Sequence, residues 1–98
     1  MKFQEKVWKL LEQIPEGKVA KYGIIAKKLN SKAFRAVGNA CHNNPNAPKI
    51  PCHRVVNSNG NVGGFAAGID NKIKLLEKEG VKIEDNKVVN FKEKIYHF

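Results

Sequence analysis

Residues 22–42 read YGIIAKKLNSKAFRAVGNACH. Ile25, Ala26 and Leu29 fall at helical spacing over residues 22–29, and residues 32–42 repeat the pattern with Phe34, Val37 and Cys41 expected inward. Between them Asn30 and Ser31 make a polar turn with a capping residue. Two short helices joined by a tight turn read as a helix-turn-helix over about residues 22–42. Helix pairs occur in many folds, so the pattern alone does not identify a nucleic-acid reader. The charge is more specific. Residues 17–69 hold eight Lys or Arg and no Asp or Glu, whereas the rest of the chain, net charge +9 overall, sets ten basic against nine acidic residues. A generally basic soluble protein is the plainer account of the total, but the asymmetry favours a central surface that meets a polyanion.

Working outward, Phe3, Val7, Leu10, Leu11 and Ile14 place an amphipathic helix over residues 3–14, ended by Pro15 and Gly17, with Trp8 flanking the stripe as core. Residues 18–20 read as a short extended piece. The NNPNAP run, 43–48, is an ordered loop leading into residues 50–56, so a loop and strand span 43–56. NSNGN at 57–61 is a hairpin-turn signal, and 63–68 a loop of small residues. Helical spacing returns over 69–79 through Ile69, Ile73 and Leu76, with Gly80 as C-cap. Residues 81–83 and 88–91 around Glu84, Asp85 and Asn86 form a small hairpin, in the place of a wing. The expected fold is mainly α with short β-hairpins, a winged helix-turn-helix-like domain over residues 1–98, with room for one modest core.

Several classes drop out. No run of 18 apolar residues occurs and no signal-peptide pattern opens the chain, so a soluble intracellular protein is expected. Two cysteines, Cys41 and Cys52, without a CxxC spacing, read as reduced thiols and supply no zinc site.

The chemistry gathers at residues 50–54, IPCHR. Thiolate is the reactive form of cysteine, and nearby cations or a base favour it. His53 and Arg54 supply both kinds of group beside Cys52, behind a rigid Pro51. An inert buried thiol with an incidental neighbour remains open on the dipeptide alone. Adjacent residues of a strand also point to opposite faces, so contact between Cys52 and His53 needs a turn or a bridging water.

The run Pro51-Cys52-His53-Arg54-Val55 resembles the PCHRV signature of the 6-O-alkylguanine-DNA alkyltransferases, the methylated-DNA–protein-cysteine methyltransferases. Arg35-Ala36-Val37-Gly38, seventeen positions before Cys52, is similar to that family's RAVG. Asn44-Pro45 takes the place of its Asn hinge, and residues 75–80, LLEKEG, match its LLxxEG element. The resemblance covers roughly residues 3–83. It implies that Cys52 attacks the alkyl carbon of a damaged guanine and that His53 passes the thiol proton through water to Glu79. Read alone, Glu79 would be a solvated helix-end carboxylate. The damaged nucleotide would be extruded from the duplex, with Arg35 filling the gap and Ala36 and Gly38 allowing close approach to the minor groove. Lys32 would join the DNA contacts. Tyr22 would help rotate the phosphate and touch the flipped base, Asn44 would order the loop, and the Val55 backbone would read the guanine edge. Phe65 sits where the family has an aromatic lining the pocket. Ala66 and Ala67 replace a Ser/Gly-type loop, so a hydroxyl contact seen in some relatives is absent. Cys41 reads as core.

The resemblance implies a suicide enzyme that needs no cofactor and no metal, acts as a monomer on double-stranded DNA, and works in the cytoplasm. Most relatives carry a separate N-terminal domain that this sequence does not include. Short relatives, the alkyltransferase-like proteins, bind the lesion without transfer and replace the cysteine with Trp or Ala. A plain winged-helix regulator would explain the basic window but not residues 51–55 or Glu79.

Overall fold

A computed structural model describes residues 2–32, 34–46, 49–63 and 68–98. Helix α1 spans Phe3–Leu11. The stripe continues to Ile14, but the last turn tightens, with the Ile14 amide donating to the Leu11 carbonyl at 3.1 Å. Pro15 disfavours helical dihedrals in the residue before it, which accounts for the early stop. Val7, Leu11 and Ile14 are buried, and the half-buried Trp8 donates its indole N–H to the Ala40 carbonyl at 2.8 Å.

Strand β1, Ala20–Lys21, leads directly into α2, Tyr22–Lys28, and α3 spans Phe34–His42. The turn between α2 and α3 is a Schellman motif. Asn30 takes a left-handed φ of 54°, the Ser31 amide donates to the Ala26 carbonyl at 2.9 Å, and the Asn30 amide to the Lys27 carbonyl at 3.0 Å. Asparagine tolerates that conformation better than most residues, so the sequence stops α2 there and turns the chain for α3. Val37, Ala40 and Cys41 face a core shared with α1, α2 and Val55. Each fully buried large aliphatic side chain of this cluster contributes roughly 1.5–3 kcal/mol. Phe34 departs from expectation: it is 57 % exposed. It shares the angular stripe of Val37 and Cys41 but sits at the first residue of α3, beyond the reach of the core.

Residues 52–54 form a 3-10 turn, and β2, Val55–Val56, pairs in parallel with β1 in the register Ala20 to Val55 and Lys21 to Val56. The NSNGN segment does turn, with the Asn57 amide bonded to the Asn61 carbonyl at 2.9 Å, but it does not close a hairpin on β2. Helix α4 spans Ile69–Lys78 and ends in a second Schellman motif. Gly80 has φ 91°, the Val81 amide donates to the Leu76 carbonyl and the Gly80 amide to the Glu77 carbonyl, both at 3.0 Å. Leu76 and Val81 pack in a second cluster with Val19, Val56, Val62 and Val88.

Strands β3, Ile83–Glu84, and β4, Lys87–Val88, make the tail hairpin, turned by Asp85 and Asn86 at positive φ. The second arm is shorter than expected, because Phe91–Lys94 forms a one-turn helix, α5. The C-terminal segment then runs beside β1: the Val19 amide bonds the Lys94 carbonyl and the Tyr96 amide the Val19 carbonyl, each at 2.8 Å. Among the described residues no helix is long and apolar enough to cross a membrane.

Candidate active site

The backbone around Cys52 is shaped by Pro51. At φ −81° and ψ 67° Pro51 forms the centre of an inverse γ-turn, closed by the Cys52 amide on the Ile50 carbonyl at 2.8 Å. The chain then winds through the 3-10 turn, with the Arg54 amide on the Pro51 carbonyl at 3.0 Å. Cys52 and His53 are therefore not alternating strand residues. Cys52 is 4 % exposed and His53 1 %.

Asn44 secures the incoming loop. Its side-chain amide donates to the Ile50 carbonyl at 2.6 Å, and its oxygen accepts from the Asn46 amide at 3.0 Å.

Behind Cys52 lies an acid–base assembly. His53 Nε2 is 2.9 Å from Glu79 Oε2, and Arg54 grips the same carboxylate twice, through Nε at 2.8 Å and Nη2 at 2.6 Å. Arg54 Nη1 donates to the Ile14 carbonyl at 2.7 Å, which ties the assembly to the end of α1. Glu79 occupies the C-cap position of α4, and the Schellman turn at Gly80 fixes its exit direction. Burial would raise the Glu79 carboxyl, but the hydrogen bonds from Arg54 and His53 outweigh it and hold the group below the ordinary carboxylate value. A carboxylate accepts, so Nε2 carries the proton of a neutral His53 ring. Nδ1 is then a basic lone pair. It is buried and makes no hydrogen bond among the described residues. Burial lowers the His53 value below that of a free imidazole, against the pull of Glu79. The ring is uncharged near neutrality, as a general base must be.

Sequence reading set Arg54 beside Cys52 as the activating cation. The structure corrects this: Arg54 turns its guanidinium to Glu79, and the buried cation is Lys72. Lys72 comes from α4, is completely buried, and donates from Nζ to the Val55 carbonyl at 2.7 Å. Its ammonium lies 5.8 Å from the centre of the Tyr22 ring. Burial pushes Lys72 down to about 8, partly offset by the Coulombic influence of the Cys41 and Cys52 thiols. The sequence did carry a signal for it. Lys72 falls four residues before the buried Leu76, on the inward stripe of α4.

Cys52 opens on a cavity of about 750 Å³ whose wall also includes Tyr22, Phe34, Arg35, Gly38 and Cys41. Tyr22, Arg35 and Gly38, expected at the site, thus share one space with the thiol. The Tyr22 hydroxyl is held protonated well above its usual range, chiefly by burial. Cys41 is pushed up to about 12 by burial first and then by Cys52, so it is an un-ionised thiol. Lys32 lines a neighbouring groove instead, with Lys27 and Asn57. Ala36 is half-buried on α3 and is not part of the Cys52 cavity wall. Val55 is buried, its amide on the Cys52 carbonyl and its carbonyl accepting Lys72. Phe65, Ala66 and Ala67 lie outside the described residues. Among the described residues no group of three or more His, Cys, Asp or Glu is placed to hold a metal ion.

Residues 2–81 match the family model of the 6-O-methylguanine DNA methyltransferase DNA-binding domain. A methylated-DNA–protein-cysteine methyltransferase of Methanosarcina acetivorans is 51 % identical over 79 residues, which is 80 % of this chain and 51 % of the relative. The chain spans about half the length of the curated relatives it matches. Among solved structures, Mycobacterium tuberculosis OGT in complex with DNA superposes with a TM-score of 0.77 at 45 % identity, over 81 % of this chain and 50 % of that one. S. pombe Atl1, crystallised with damaged DNA containing O6-carboxymethylguanine, gives 0.83 at 32 % identity, over 97 % of this chain and 94 % of its own. Both the sequence match and the fold place this chain in the family of 6-O-methylguanine DNA methyltransferase DNA-binding domains.

Proposed function

We propose that this chain removes the alkyl group from 6-O-alkylguanine in duplex DNA by transferring it irreversibly to Cys52. The observation that carries the reading is the buried, neutral His53, braced on Glu79 with Nδ1 left basic, directly after a thiol that opens on a cavity beside Arg35.

The proton of the Cys52 thiol passes to His53 Nδ1 through a bridging water, and the Glu79 carboxylate stabilises the imidazolium. The Cys52 sulfur then bonds the alkyl carbon as the bond from that carbon to the guanine oxygen breaks. The bonding pair stays with guanine, and the proton that left the thiol returns from the His53 imidazolium, through water, to the guanine anion. Sulfur suits this displacement because it is soft and nucleophilic even when partly ionised. Tyr22, kept protonated, is a donor toward the flipped base, and the Lys72 ammonium, buried 5.8 Å from the centre of the Tyr22 ring, supports negative charge at the site from behind the cavity wall. The product thioether is stable, so each molecule acts once. Reaching the target costs a few kcal/mol of unstacking. Arg35 on α3, on the wall of the Cys52 cavity, would occupy the vacated place, with Gly38 leaving room for the groove wall.

A lesion sensor without transfer is the second reading, favoured by the near-complete overlap with S. pombe Atl1. Cys52 separates the two. Excess duplex carrying 6-O-methylguanine should add one methyl group, about 14 Da, to each chain and then stop. Peptide mapping by mass spectrometry should place it on Cys52; Cys52→Ala should bind the lesion and accept nothing, while Cys41→Ser should still be methylated. Wild-type protein that binds the lesion yet keeps its original mass would establish the sensor.

A further inference from the structure

Among the described residues only two large apolar side chains stand well into solvent, Ile69 at 37 % and Phe34 at 57 % exposure. One exposed apolar residue is ordinary. Phe34 is set apart by its position. It immediately precedes Arg35 at the start of α3 and stands between two spaces. One is the cavity of about 750 Å³ that reaches Cys52; the other is a groove of about 1010 Å³ running past Lys27, Lys32 and the turn at Asn57. The core does not need it, since Val37, Ala40 and Cys41 supply the inward face of α3. Its ring is nevertheless seated. A Cβ on residue 23 would come within 3.3 Å of Phe34 Cε1, so the ring edge rests on bare glycine backbone of α2.

The surroundings state what the ring is suited to meet. Lys27, Lys32 and Arg35 flank it, and residues 17–69 contain no carboxylate side chain. A seated aromatic ring in a cationic, acid-free surface matches a nucleobase, whose π-face it can cover while the cations meet phosphates. Apolar wedges enter the minor groove between base steps in the same way.

We propose that Phe34 is a positioning residue that stacks on a DNA base next to the displaced nucleotide, so that Phe34 and Arg35 form a two-residue wedge. Arg35 fills the emptied position, and Phe34 covers the neighbouring base that loses its stacking partner. The assignment rests on the reading that this surface binds alkylated duplex DNA.

The test uses the full chain and a duplex carrying 6-O-methylguanine with 2-aminopurine as the adjacent base. Phe34→Ala should weaken duplex binding by roughly 5- to 150-fold, the span of one base–aromatic stack, and remove the quenching of 2-aminopurine. The slope of log K against log salt should keep its wild-type value, because no phosphate contact is lost. Phe34→Tyr should restore binding, and Phe34→Leu, apolar without a π-face, should restore only part. Equal duplex affinity of Phe34→Ala and wild type would overturn the proposal. So would an equal loss with free 6-O-benzylguanine, which would make Phe34 a wall of the alkyl pocket. Wild-type protein that fails to bind the duplex would instead sink the underlying reading, and this one with it.

Discussion

A general base must be uncharged before it can take a proton, and a cation must be charged before it can stabilise an anion. Burial shifts His53 in the direction its demand requires and shifts Lys72 against its own, which leaves the ammonium charged near neutrality but close to losing its proton. His53 sits below the ordinary imidazole value because it is buried, although Glu79 pulls the other way. Lys72 sits near 8, also because of burial. Below the His53 value Nδ1 is protonated and cannot accept from Cys52, so the single-turnover transfer rate should fall on the acid side. Above about 8 Lys72 loses its ammonium and the rate should fall again. Lys72→Met, with a similar stem and no charge, should lower the plateau on the order of 10²-fold and abolish the alkaline limb, while keeping the acid limb. Rapid-quench methyl transfer across roughly pH 5 to 10 reads both limbs. A wild-type rate that climbs steadily through the Lys72 value would remove its charge from the mechanism.

At the scale of elements, sequence and structure agree where a short-range rule sets the geometry. Asn30 and Gly80 each end a helix through a left-handed residue, and both turns were legible because few residues tolerate that conformation. The pairing of β1 with β2 was not legible. Two-residue strands show no alternation, and a parallel partner 35 positions away leaves no local trace. Helical spacing also reports the angle of a side chain but not its depth along the axis. It therefore sent Phe34 inward with Val37 and Cys41, whereas Lys72, whose spacing did mark the inward face, was passed over because a lysine is rarely fully buried. Arg54 was misassigned for a related reason: adjacency to Cys52 in sequence says nothing of which way a long side chain turns. Gly38 separates packing from function on α3. A Cβ there would meet nothing within 4 Å, so the protein's own core does not require glycine. Gly38→Ala should raise stability by about 0.5–1 kcal/mol through helix propensity, measured by urea unfolding. Gly38 lines the Cys52 cavity, so on the proposed minor-groove approach of α3 the added methyl should lower affinity for alkylated duplex at the same time. Unchanged affinity would show that α3 does not need close approach at that residue.

Over the whole molecule, the eight cations of residues 17–69 are not equivalent. Arg54 is committed to Glu79, Lys18 donates to the Glu93 carbonyl at 2.8 Å, and Lys21 lies 5.6 Å from the centre of the Phe91 ring. Eight less these three leaves Lys27, Lys28, Lys32, Arg35 and Lys49, all exposed. If Arg35 enters the base stack, about four cations remain for phosphates. Each phosphate neutralised on B-DNA releases counterions and adds about −0.9 to the slope of log K against log salt, so the slope should be near −4. Raising salt fourfold should then weaken binding to undamaged duplex by roughly 100- to 300-fold, as read by fluorescence anisotropy. Lys27→Ala and Lys32→Ala should each flatten the slope by about 0.9, whereas Lys18→Ala should leave it close to wild type. A slope near zero would remove DNA as the partner of this surface. A slope near −6 would mean that Lys18, Lys21 and Arg54 leave their present contacts when DNA binds.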